Sequence, residues 1–210
     1  MFITLDGGDG CGKSTQVQRL TENLEKKGYE VLCCRDPGST LLGDAVRHIL
    51  LNRQEMPIAD VTELFLFTAA RSQLVREVIR PALVSGKIVI SDRFLLSTFV
   101  YQCYAGGVST DVLTAINSIA VGDTLPDLGI ILDIPYEMAM RRIARRSDTD
   151  RMETKGEAYH RRVREGFLHY AKNDRERYVV IDATPSPDEV AESIWERIEL
   201  VRNSRRTNLS

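Results

Sequence analysis

Residues 7–14 read GGDGCGKS, which fills every fixed position of the phosphate-loop pattern G-x-x-x-x-G-K-[ST] with Gly7, Gly12, Lys13 and Ser14. An apolar run, FITL at residues 2–5, leads into the loop. Residues 15–27 leave it with Val17, Leu20 and Leu24 at helical spacing, and Gly28 supplies a stop. A chain of this kind must bring a buried strand, a tight turn and a helix N-terminus together. Glycines let backbone N–H groups curl around phosphate oxygens, and the helix end adds partial positive charge. Gly7, Gly8, Asp9, Gly10, Cys11, Gly12, Lys13, Ser14 and Thr15 are therefore the candidate nucleotide-binding residues. In such a loop the lysine reaches the β- and γ-phosphates and the hydroxyl ligates Mg²⁺. Cys11 sits at a variable position and reads as a small filler, not a redox switch.

The rest of the chain repeats the strand-then-helix alternation. Short apolar runs at 30–34, 87–91, 128–133 and 178–181 read as further strands. Helical spacing covers 41–51, 58 to about 79 (ending before Pro81), 95–103, 111–121, 135–145, 157–173 and 188–201. Strands separated by helices predict one α/β domain over 1–202, a five-stranded parallel sheet with helices on both faces, and a frayed polar tail at 203–210. With 43% apolar residues in 210, a single core of that size can be buried. The 28 Lys and Arg against 30 Asp and Glu speak against a nucleic-acid-coating protein. No run approaches the roughly 18 apolar residues of a membrane span, and MFITLDGGDG lacks a signal core, so a cytoplasmic location is expected. Cys11, Cys33, Cys34 and Cys103 have no C-x-x-C spacing and read as reduced thiols.

A phosphate loop serves GTPase switches, ATP-driven motors and small-molecule kinases alike. No N-K-x-D segment for reading guanine is present, and a motor would usually be longer. Four segments narrow the choice: LDGGDGCGKST (5–15), RDPGSTLLGDAVR (35–47), ELFLFTAAR (63–71) and DRFLLSTFVYQ (92–102), followed by a basic segment ending DRME (150–153). Together they resemble the thymidylate kinase family in its bacterial form, over residues 2 to about 181. Asp36 and Ser39 stand where the family usually has Glu and Gly, Phe94 where Tyr or His is usual, and YQCYAGG replaces a more glycine-rich YQGxGxG. The resemblance implies a P-loop kinase fold with a short lid at about 142–156, Mg²⁺-ATP-dependent phosphorylation of dTMP to dTDP, and a homodimer. A different nucleotide or deoxynucleoside kinase, or a non-catalytic phosphate-loop regulator, are the competing readings.

Moving a phosphoryl group onto another phosphate brings two polyanions together, so cations, a metal and exclusion of water are needed. Arg47, Arg71 and Arg93 are candidates for the acceptor clamp, each a planar fork suited to phosphate oxygens. The resemblance puts Arg93 on the acceptor phosphate and Arg71 near base and phosphate. Asp92 follows a buried strand, so it emerges where open α/β sheets bind ligands and can share the Mg²⁺ with Ser14. Asp9 is an anion inside an anion-binding loop, and by resemblance it faces the acceptor sugar. Phe67 lies one helical turn before Arg71, and the resemblance has it stacking on thymine while Phe65 and Leu66 serve the core. Ser97 and Tyr101, four apart, can face one pocket. With Gln102 they form the stretch that the family uses for the base edge and for crowding the ribose 2′ position. Finally, residues 141–151 carry five arginines against two aspartates, and the run leaves a helix for a polar stretch. Gly10 stands where some relatives carry a loop arginine. Arg146 and Arg151 are therefore the expected lid arginines, with Arg142 in reserve and Glu153 as a support for Arg151.

Overall fold

A computed structural model describes residues 1–51, 57–145 and 151–207, the last four of them as backbone alone. The chain runs β1 (Phe2–Asp6), α1 (Lys13–Lys26), β2 (Val31–Arg35), α2 (Leu41–Leu51), α3 (Asp60–Leu74), α4 (Arg80–Val84), β3 (Ile88–Asp92) and α5 (Leu95–Thr98). It continues α6 (Thr110–Val121), β4 (Leu128–Asp133), α7 (Tyr136–Ile143), α8 (Glu157–Asn173), β5 (Tyr178–Asp182) and α9 (Pro187–Thr207). All strand pairs are parallel, in the order β2-β3-β1-β4-β5. The three central strands are apolar on both faces because helices cover both, whereas edge strands β2 and β5 are only partly covered. One core layer joins Ile3, Leu5, Leu24, Ile90 and Ile130 to Ile194 and Ile198 of α9. The opposite layer joins Phe2, Val89 and Phe94 to Leu74 and Ile79. Among the described residues no helix is long and apolar enough to cross a membrane.

Three helical boundaries differ from the sequence pattern. The helix expected to end before Pro81 instead continues through a π-helical turn, Val75–Ile79, into α4. In that turn the Arg80 N–H donates to the Val75 carbonyl, five residues back. A proline ring collides with the carbonyl four residues before it, and the widened turn shifts that ladder just where Pro81 requires it. The helix expected at 95–103 is α5 followed by a second π-helical stretch, Phe99–Tyr104. The last helix outruns its apolar pattern and extends to Thr207, because Arg and polar residues sustain a backbone ladder without an apolar face.

Phe65 is a further correction. It is 54% exposed, not a core residue. The buried stripe of α3 passes through Leu64, Thr68, Arg71 and Leu74, leaving Phe65 one residue off that line. Leu66 and Phe67 are half-buried against Val46, Leu50 and Ala70, so Phe67 is partly a packing residue as well.

Candidate functional site

Strand β1 lies between β3 and β4, and the chain leaves it in one direction to build β2 and β3, then in the other to build β4 and β5. A crevice opens at such a switch point, beyond the C-terminal ends of the strands. Leu5 is in register with Asp92, so the glycine-rich loop after β1 and the Asp92-Arg93 pair after β3 emerge side by side. They border a cavity of about 470 Å³. Of the expected residues, Asp9, Gly10, Gly12, Lys13, Ser14, Thr15 and Asp92 line it on the loop side. Arg47, Phe67, Arg71, Arg93, Ser97, Tyr101 and Gln102 line the rest. The volume is within the range of small-ligand clefts.

Lys13 opens α1 and is folded back over its own loop, with Nζ donating to the carbonyls of Gly7 (3.1 Å) and Gly8 (2.9 Å). The Ser14 hydroxyl donates to Asp92 Oδ2 at 3.4 Å, which sets two hard oxygen donors together at the loop mouth. Arg93 stands at the junction of both sides. Its Nη1 donates to the Gly7 carbonyl (3.0 Å) and Ser97 Oγ (3.2 Å), while its Nη2 donates to Asp9 (2.5 Å) and the Tyr101 hydroxyl (3.2 Å). Tyr101 in turn donates to the other Asp9 oxygen at 3.0 Å. Ser97 Oγ donates to Asp6 Oδ1 at 2.7 Å beneath the loop. Burial raises the Asp9 carboxyl, but the charges of Arg93 and Lys13 and the Tyr101 hydroxyl outweigh it and hold Asp9 below the usual carboxylate range. Asp6 goes the other way: burial dominates, and the Ser97 bond and Arg93 only partly offset it. Two acids three residues apart are thus driven in opposite directions.

The other two clamp candidates, Arg71 and Arg47, are held by different partners. Arg71 is 1% exposed and donates to Asp36 (2.5 Å), Asn117 (3.1 Å), Thr98 (2.5 Å) and the Phe94 carbonyl (3.5 Å). Most of its fork is committed to the protein, so it braces the wall it belongs to. Asp36, its partner, was visible in the sequence only as a variant position. Arg47 donates to the Pro37 carbonyl at 3.1 Å at the cavity rim. Arg35, Pro37, Leu51, Thr98 and Met152 also line the cavity, and no local sequence signal marks them. Asp133, at the end of β4, accepts a two-pronged bond from Arg164 at 2.7 and 2.8 Å.

The basic segment divides. Arg146 lies outside the described residues. Arg151 does not line the cavity: its guanidinium pairs with the buried Glu63 and donates to the Leu50 carbonyl at 2.8 Å. Arg142, held in reserve, does line the cavity, and its Nη1 lies 3.9 Å from where a Cβ on Gly12 would stand. Gly10 has φ +77°, and a Cβ there would stand 2.7 Å from the Ala139 carbonyl of α7. Helix and loop are in backbone contact at that point, so no side chain fits. Gly7, Gly8 and Cys11 form the rear of the loop, and Cys11 is 2% exposed with Sγ 3.6 Å from Lys13 Nζ.

Comparison with known proteins agrees with this geometry. The sequence profile of the family described as thymidylate kinase matches residues 5–194. A thymidylate kinase of Caldanaerobacter subterraneus subsp. tengcongensis is 44% identical over 181 residues, which cover 86% of each chain. One from Maridesulfovibrio salexigens is 40% identical over 216 residues, covering 99% of this chain and 100% of the other. Among solved structures, thymidylate kinase from Ehrlichia chaffeensis has a TM-score of 0.78 at 31% identity, covering 94% of this chain and 98% of that one. A glycine-rich loop, an arginine-lined wall and a matching fold and sequence over nearly the full length converge: the chain belongs to the thymidylate kinase family.

Proposed function

We propose that this site transfers the γ-phosphoryl group of ATP to the phosphate of dTMP, giving dTDP for dTTP synthesis. One observation carries the reading: the phosphate loop and the arginine wall share a single cavity, joined by Arg93 bridging Gly7 and Asp9. An acceptor phosphate oxygen bonds to the γ-phosphorus as the bond to the β,γ-bridging oxygen breaks, and ADP leaves. The loop N–H groups and Lys13 hold the triphosphate, and Lys13 exchanges its loop carbonyls for phosphate oxygens as charge develops. Ser14 Oγ and Asp92 are hard oxygen ligands that suit Mg²⁺, which when bound neutralises phosphate charge. Arg93 and Arg47 hold the acceptor phosphate, and Arg71 fixes the wall behind them. Asp9 orients Arg93 and, with Tyr101, faces the sugar. Phe67 covers the base face while Ser97 and Gln102 lie along its edge. Arg142 supplies positive charge to the transferring group from α7.

The reading extends to a cytoplasmic homodimer whose small-molecule partners are ATP and dTMP, with no nucleic acid or membrane partner. A single-turnover assay with labelled ATP and a panel of nucleosides and monophosphates tests it. Labelled dTDP from dTMP is expected, with nucleosides inert. Transfer to nucleosides instead would reassign the acceptor, and ATP binding without transfer to any acceptor would favour a regulatory protein.

A further inference from the structure

Glu63 is 4% exposed at the start of α3, one turn ahead of Phe67, and it lies outside the cavity lining. Its carboxylate meets two donors from distant parts of the chain. Oε1 accepts Gln102 Nε2 at 2.9 Å, and Oε2 accepts the Arg151 guanidinium. Gln102, also 4% exposed, lines the cavity from the π-helical stretch after α5. Arg151 is fixed in its turn, since its backbone N–H donates to the Leu51 carbonyl at 3.2 Å and the next residue, Met152, is buried against the cavity.

A carboxylate only accepts hydrogen bonds, whereas an amide offers a donor at one end and an acceptor at the other. The end of Gln102 that meets Glu63 must therefore be its NH₂ group. That fixes which way the amide points and leaves one N–H and the carbonyl for whatever lies beyond. A free amide could flip and suit either kind of pyrimidine edge. A fixed one cannot. Thymine and uracil present a ring N3–H donor beside a carbonyl acceptor, and cytosine presents a ring nitrogen acceptor beside an amino donor. The pairing with Arg151 offsets the charge of the buried carboxylate, which otherwise would be costly to keep in place.

We propose that Glu63 is a positioning residue for base choice, setting the Gln102 amide for a keto pyrimidine and tying that setting to the Arg151 guanidinium. The inference rests on the reading of the cavity as a dTMP site. Its test is kcat/KM for dTMP and for dCMP in the parent enzyme, Glu63→Gln, Arg151→Ala and Arg151→Lys. Glutamine at 63 can donate as well as accept, so the Gln102 amide is released to flip. The dTMP:dCMP ratio should fall by about tenfold or more in Glu63→Gln, since misplaced buried polar groups discriminate strongly. Arg151→Ala should lower the ratio and raise the KM for dTMP more than it lowers kcat, and Arg151→Lys should restore part of both. A folded Glu63→Gln enzyme with the parental ratio overturns the proposal. Where Glu63→Gln does not fold, an unchanged ratio in Arg151→Ala overturns it just as well. A parent that ignores dTMP would sink the reading of the site itself, whereas a parent active on dTMP with variants of unchanged ratio sinks only this inference.

Discussion

Arg93 holds its position against two costs. Its φ of 69° is a left-handed conformation that costs a non-glycine residue about 1–3 kcal/mol, and its guanidinium side chain is only 19% exposed. The backbone is held by its N–H donating to the Leu5 carbonyl at 2.9 Å and by Ser91 Oγ donating to its carbonyl at 2.7 Å. The side chain is held by Asp9, which makes Asp9 both a support and a titration point. Its folded-state carboxyl lies below the ordinary value, so it stabilises the fold fully above about pH 4, where the unfolded carboxyl is ionised as well. That contribution is lost as pH falls through the lower, folded value. Urea unfolding of parent and Asp9→Asn should therefore show a parental advantage near pH 7 that narrows below about pH 4. An advantage that stays constant into acid would remove the ion pair from the explanation. Lys13 contributes mainly to the loop, because its hydrogen-bond partners, two carbonyls and the Cys11 sulfur, all belong to that loop. Lys13→Ala should stay folded, with a modest fall in unfolding midpoint because Asp9 loses one of its two cations, and should lose about 10²–10³ or more in kcat, the cost of removing one donor from developing phosphate charge. Near-normal turnover in a folded variant would contradict the loop assignment.

At the scale of one element, helix α7 closes the loop to an arginine of its own and offers Arg142 for the role proposed above. Its Ala139 carbonyl closes the space beside Gly10, and Arg142, three residues further on, reaches the same loop near Gly12. The contact that forbids a side chain in the loop thus sets the helix that brings one from outside. Arg142→Ala should lower kcat by about 10³ or more, as loss of an arginine acting on a transferring phosphoryl does, with little change in the KM for dTMP. Gly10→Arg should not rescue it, since that residue meets both the Ala139 carbonyl and a positive φ. Recovery of turnover in the double variant would refute this account. The loop, the strands and the joint placement of Arg93, Ser97 and Tyr101 were legible in sequence, because local spacing and the strand ends fix them. The π-helical turns were not, since a local widening of the helix carries no residue signature of its own. Nor was the partner of Arg151 legible: Glu63 lies 88 positions away, and only the closed fold brings the two together. Arg71 lines the cavity, but its burial on Asp36 is a long-range contact that no spacing announces.

For the whole molecule, the distribution of apolar surface bears on the proposed homodimer. Helices α3 and α6 pack against one another, and each leaves large apolar side chains outside. Val61 and Phe65 of α3 are 50% and 54% exposed, and Val112 and Ile119 of α6 are 44% and 79% exposed. Single exposed apolar residues are ordinary, but a set on two neighbouring helices suits a surface that another copy covers. The same helices hold the site: α3 carries Glu63, Phe67 and Arg71, and α6 carries Asn117, the partner of Arg71. Docking a second copy on them would stiffen the arginine wall from behind. Burying a side chain such as Phe65 or Ile119 is worth about 1.5–3 kcal/mol, and placing a charge there reverses the sign. Phe65→Asp combined with Ile119→Asp should therefore shift the protein from dimer to monomer in sedimentation velocity. Its far-ultraviolet circular dichroism should stay that of the parent, since neither residue is in the core. The KM for dTMP should rise in the monomer, because Arg71 and Phe67 lose the support behind their helix. A parent that sediments as a monomer, or a double variant that remains dimeric, would place the association surface elsewhere or remove it.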